Sequence, residues 1–92
     1  MVGTHVSLYG RVDRGDRAYT LIVQEIGTRR VNWSVSEAAG RRDGDMIAVR
    51  GTVLASKTIY TRRGDPVGFV TLADRSSRLE ALIFAGVIRR DS

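Results

Sequence analysis

His5 is the sole imidazole in the chain, and it stands near the N-terminus on the outward side of an alternating strand. A general base must reach a substrate proton and be held there by a partner. A lone histidine near a terminus is far more often structural or solvated than a base, and with no cysteine and no second histidine the chain offers no zinc ligand set. Asp13/Asp16 and Asp43/Asp45 are paired carboxylates of the kind that can share acid–base work or a cation. Each pair brackets a glycine, however, and Asp-Gly turn chemistry accounts for both. Neither G-x-x-x-x-G-K-[ST] nor G-x-G-x-x-G occurs, so no phosphate-cradling loop is predicted. The expectation is a protein without catalysis, metal or cofactor.

Cations and planar rings are better represented. The formal net charge is +5, with a sequence pI near 10.7, and every basic residue except Lys57 is arginine. Guanidinium pairs bidentately with phosphate and stacks on flat rings. Arginine richness also follows from GC-rich coding, but the excess charge favours a polyanionic partner. Arg62 and Arg63 sit at a turn before Gly64-Asp65-Pro66, Arg50 and Lys57 lie on the strand leading to it, and Arg11 is two residues from Tyr9. Tyr9 and Phe69 alternate out of apolar strands, Tyr60 precedes the basic turn, and Trp33 is flanked by Arg29 and Arg30. Single-strand binders need this pairing of basic groove and exposed ring, each stacked base being worth about 1–3 kcal/mol. The plain alternatives are a core tryptophan at Trp33 and charges that merely discourage strand-edge aggregation at Arg62-Arg63.

These residues must be positioned by short strands. Ninety-two residues make one small domain, and 42% hydrophobic with 27% charged residues is a globular composition. No apolar run approaches the roughly 20 residues of a membrane span, and no export signal opens the chain, so a cytoplasmic location is expected. His5–Val12 alternates, with Val6, Leu8, Gly10 and Val12 on one face. Strands are expected over Arg17–Ile26, Arg29–Val35, Met46–Ser56 with a continuation at Thr58–Thr61 past a kink or bulge, Val67–Ala73 and Arg78–Phe84. A short helix with Ser36 as N-cap and Gly40 as its stop lies between them. Arg89–Ser92 reads as a tail. Val70, Leu72, Leu82 and Phe84 are expected in the barrel wall. Strand-interior Gly10 and Gly51 mark bends or bulges. The class predicted is all-β: a small five- or six-stranded Greek-key barrel with one short helix.

Two phrases, "HVSLYGRV" and "GDMIAVRGTV", share an apolar-x-apolar-x-Gly-x-Val form and resemble barrel strands of OB-fold proteins. "GDMIAVRGTVLASKTIYTRRGDPVGFVTLADRSSRLEALIF" resembles the nucleic-acid-binding OB domain of bacterial replicative DNA polymerase alpha subunits and of the anticodon-binding family. There the block comes first. Here "HVSLYGRVDRGDRAYTLIVQEI", similar to the closing hairpin of the same family, precedes it. Two orders are open: a circularly permuted barrel, or the ordinary order of single-stranded-DNA-binding proteins, with Lys57–Pro66 as the loop between fourth and fifth strands. The ordinary order is the expectation. Exchange of halves between two chains would also satisfy the permuted pattern, as a homodimer.

The resemblance implies binding of single-stranded DNA, or else RNA, with low sequence specificity and in the company of replication or repair proteins. Tyr9, Trp33, Tyr60 and Phe69 would stack bases while Arg11, Arg50, Lys57, Arg62 and Arg63 hold the backbone. A protein-interaction or assembly module and a tRNA or structured-RNA binder remain alternatives, since one barrel hosts many functions.

Overall fold

The computed structural model describes residues 2–15 and 19–91; Asp16, Arg17 and Ser92, and the side chains of Arg90 and Asp91, lie outside the described residues. The chain runs β1 (His5–Asp13), β2 (Thr20–Ile26), β3 (Trp33–Ser34), α1 (Val35–Ala38), β4 (Met46–Tyr60), β5 (Pro66–Ala73), β6 (Arg78–Phe84) and α2 (Ala85–Asp91). Alternation does what it should in β1 and β4. Leu8, Gly10 and Val12 of β1 and Ile47, Val49, Gly51 and Val53 of β4 are buried. They meet Leu21, Val23, Leu72 and Ile83 in a single core.

The strands close a five-stranded barrel. β4, β5 and β6 form an antiparallel meander, and the β1–β2 hairpin joins both of its free edges. β1 pairs antiparallel with β4, while β2 pairs parallel with β6. The closing hairpin therefore precedes the meander in the chain, which is the permuted order and corrects the expected ordinary one. Alternation identifies strands but says nothing about which edges meet. The loop expected over Lys57–Pro66 shrinks to residues 61–65, because β4 carries on to Tyr60. Its bulge falls at Leu54, where the register to β5 shifts between Val53 and Ala55.

Three further expectations are corrected. The strand predicted over Arg29–Val35 is only Trp33–Ser34, a sixth strand laid parallel on β4. The N-cap is Ser34, not Ser36: Ser34 Oγ accepts from the Glu37 amide at 3.3 Å, and Glu37 Oε1 accepts from the Ser34 amide at 3.1 Å. This reciprocal pair satisfies two orphan donors, so the helix starts two residues early. Donation from Ser34 lowers the Glu37 pKa. The expected tail is α2 as far as Asp91, with Val87 in the core and Ile88 packed against it.

Ser36 has a different task. Its amide and hydroxyl donate to Asp74 Oδ2 at 2.8 and 2.6 Å, while the Ser76 and Ser77 amides donate to Oδ1 at 3.0 and 2.9 Å. The β5–β6 turn is thereby tied to α1, whose Val35 is fully buried. These donors, led by the Ser36 hydroxyl, hold the Asp74 carboxyl far below its ordinary 3.8. A depressed carboxyl contributes stability that is complete above its unfolded value and lost as pH falls through the folded one. Below about pH 4, wild-type stability should therefore fall more steeply than that of Asp74→Asn, as read by denaturant titrations at pH 5, 4, 3 and 2.

Gly10 permits the closest backbone approach in the barrel. A Cβ there would stand 2.1 Å from the Ile22 carbonyl oxygen, beside the bulge between Tyr9 and Gly10. Since neither strand can retreat without opening the hairpin, Gly10→Ala should cost about 3 kcal/mol or more in urea unfolding.

Candidate nucleic-acid interface

Residues directly opposite on paired strands share a face. Following the pairs outward from the β4 arm gives one row that winds around the outside of the barrel, one residue from each strand: Lys57, Phe69, Leu82, Ile22 and Arg11. Phe69, Leu82 and Ile22 are half-buried, and Lys57 and Arg11 are exposed. An aromatic and aliphatic stripe thus runs between two cations across four strand spacings, or about 19 Å. The next row, toward the β1–β2 turn, is polar: Thr71 donates to Glu80 Oε1 at 3.0 Å, with Thr20 beside it. The row on the other side is Ile59, Val67 and Phe84.

Arg62 and Arg63 are exposed at the tip of the β4–β5 loop. That loop is closed by hydrogen bonds from the Gly64 amide to the Thr61 carbonyl and from the Thr61 amide to the Asp65 carbonyl, at 2.8 and 2.9 Å. Gly64 has φ +85°, a conformation that favours glycine. Arg89 of α2 bonds Asp65 at 2.9 Å, which orients the tip and, as an exposed pair, adds little stability. Tyr60 is 70% exposed at the base of the tip.

Lys57, Phe69 and Arg11 therefore share one row; Arg62 and Arg63 stand at the tip of its arm, while Tyr60, opposite Pro66, falls on the arm's other face. Tyr9 lies on the same outer wall, facing Glu25, but the Arg30 guanidinium already sits 4.2 Å from its ring centroid. Trp33 and Arg50 are elsewhere. Trp33 packs half-buried against the core, under the guanidinium of Arg41 at 4.1 Å. The expected flanking by Arg29 and Arg30 is thus replaced by Arg41. Arg50 opposes Ser7 and lines a shallow hollow with His5, Asp74 and Arg75. It stands seven positions from Lys57 along β4, about 23 Å in an extended strand.

Leu82 and Phe84 were expected in the wall, but both face outward, and Phe84 is 47% exposed. Leu79, Ala81 and Ile83 take the inward positions of β6. Apolar residues on both faces leave no alternation that could have revealed this. Ile22 and Arg30 are further additions from the structure.

The acidic pairs accept backbone amide hydrogen bonds wherever they are described. Asp13 Oδ1 accepts from the Gly15 amide at 3.1 Å, Asp43 Oδ1 from the Arg14 amide at 2.8 Å, and Asp45 Oδ2 from the Arg42 amide at 3.1 Å. The Tyr19 hydroxyl donates to the Ala38 carbonyl at 2.9 Å, and burial raises its pKa.

With this geometry in view, the chain is similar to segments of the DNA polymerase III subunit alpha from several bacteria. It is 33% identical to the Vibrio cholerae protein over 63 residues, which is 68% of this chain and 5% of that one. Identity to the Escherichia coli K12 protein is 40% over 45 residues, 49% of this chain and 4% of the relative. For Pseudomonas fluorescens it is 44% over 41 residues, 45% of this chain and 4% of the relative. The chain thus spans about one-twentieth of the length of these curated relatives. No family model and no solved structure matches it.

A stacked guanidinium at an exposed site contributes about 0.5–1 kcal/mol. Arg41→Ala should uncover Trp33, shifting its fluorescence to the red and increasing acrylamide quenching, while the unfolding free energy falls by no more than about 1 kcal/mol.

Proposed function

We propose that this barrel binds single-stranded nucleic acid, DNA in preference to RNA, along the row from Lys57 to Arg11. The observation that carries the reading is the row itself: an apolar stripe of one aromatic and two aliphatic side chains, with a cation at each end. Bases would lie on Phe69, Leu82 and Ile22, while Lys57, Arg11, Arg62 and Arg63 hold phosphates. A path of about 19 Å suits the few nucleotides covered by one small barrel. Trp33 and Arg50 lie off this path.

Two independent features support the reading. One is the local similarity to replicative polymerase alpha subunits, which makes DNA the favoured polymer and replication the favoured setting. The other is topology: β4–β5–β6 followed in space by β1–β2, with one parallel contact, fits an OB barrel whose closing hairpin has moved to the front. The mechanism would be occupancy, with the strand held open and covered and no bond made or broken.

A second reading draws on the β4 arm. Residues 54–60 are all exposed, including Leu54 and Ile59 at 41% each, along an edge that β1 no longer accompanies. Such an edge suits strand addition by a protein partner or a second copy.

Fluorescence anisotropy of a labelled oligo-dT across a salt series separates the two. Binding should weaken steeply with salt, because each phosphate contact releases counterions. Phe69→Ala should weaken it about 5- to 150-fold, the cost of one lost stack. Replacing both Arg62 and Arg63 by Ala should reduce the log–log salt slope by about 1.4. No binding at low salt, or binding indifferent to salt, would overturn the reading. Sedimentation showing dimers in that case would favour the second one.

A further inference from the structure

Beside the Phe69 row lies a cleft of about 430 Å³, lined among others by Tyr9, Gln24, Glu25, Arg30, Phe84 and Val87. Its size falls within the range of small-molecule sites. Phe84 is two residues beyond Leu82 on the outward face of β6, so the cleft adjoins the proposed strand path. Two flat groups line it. One is the Tyr9 ring with the Arg30 guanidinium 4.2 Å from its centroid; the other is Phe84, 47% exposed.

The rim has its own chemistry, created by the bulge in the hairpin. Tyr9 pairs with Glu25 but Gly10 pairs with Val23, so Gln24 is the inserted residue. Bulges re-aim side chains next to binding sites, and here Gln24 and Glu25 both line the cleft. A carboxylate accepts hydrogen bonds and donates none. It suits the amino group of cytosine, whereas thymine would present its O4 acceptor to the same oxygens.

We infer that this cleft is a nucleobase slot, in which one base of the bound strand stacks between the Tyr9–Arg30 pair and Phe84 and is selected by Glu25 for an exocyclic amino group. The slot therefore favours cytosine over thymine. This rests on the single-strand reading above, and it departs from that reading's low specificity by placing discrimination at one position. Arg30 acts twice, as a planar surface and as a cation beside the phosphates flanking the slotted base.

The test compares labelled oligo-dC and oligo-dT of equal length at pH 7.5, with wild-type protein, Glu25→Gln and Phe84→Ala. Both substitutions fall on exposed side chains, and circular dichroism verifies the fold. Wild type should bind oligo-dC about tenfold tighter than oligo-dT, one good base-edge contact. Glu25→Gln removes a negative charge and should strengthen both complexes, but the dC/dT ratio should collapse toward one. Phe84→Ala should weaken dC more than dT. Equal wild-type affinities, with oligo-dT still bound in a salt-dependent way, would overturn the slot and leave the strand reading standing. So would a dC preference that survives Glu25→Gln. Failure to bind either oligonucleotide would overturn the strand reading, and the slot with it.

Discussion

Everything in this molecule depends on β1 being paired along both edges. Its hydrogen bonds to β2 make a hairpin, and those to β4 turn an open sheet into a barrel with an interior. Closing so small a barrel requires bent strands, and the bulge opposite Tyr9/Gly10, with Gln24 as the extra residue of β2, supplies one such bend. Only a residue without Cβ tolerates the resulting approach to the Ile22 carbonyl. Gly51 acts similarly on β4, where a Cβ would meet the Ala73 carbonyl at 2.7 Å and the Val35 side chain of α1 at 3.0 Å. Closure and plugging thus each rely on a bare backbone, and the outer row exists only because the wall is closed.

How much of this could be read beforehand varies by strand. In β1 and β4 one face is apolar and the other polar over the barrel portion, so inward and outward residues separate on inspection. Phe69 also came out on the correct side, because Val70 and Leu72 define the inner face of β5. In β6 both faces carry apolar residues, and the outward Leu82 and Phe84 were illegible for that reason. Around Trp33 the strand expected over Arg29–Val35 gives way. The Ser34–Glu37 capping box won locally, since a helix start satisfies amides that a two-residue strand cannot. Val31 is left 85% exposed.

The arginines show a different limit. A long guanidinium side chain reaches rings that are distant in sequence. Nothing in the order of residues pairs Arg30 with Tyr9 or Arg41 with Trp33. Strand order is half legible: the two half-patterns admit both the permuted and the ordinary order, and the contacts that decide between them are made across tens of residues.

The position of the closing hairpin also bears on how the chain acquires its shape. β1 and β2 are synthesised first, yet each finds its second neighbour only in β4 and β6, after the meander has been made. An isolated hairpin is marginal in water, so this one waits with its apolar face uncovered while nearly sixty further residues emerge. The meander, by contrast, has only short connections to close and can gather as a local unit. The barrel should therefore assemble from its C-terminal half backward, with the oldest part of the chain docking last.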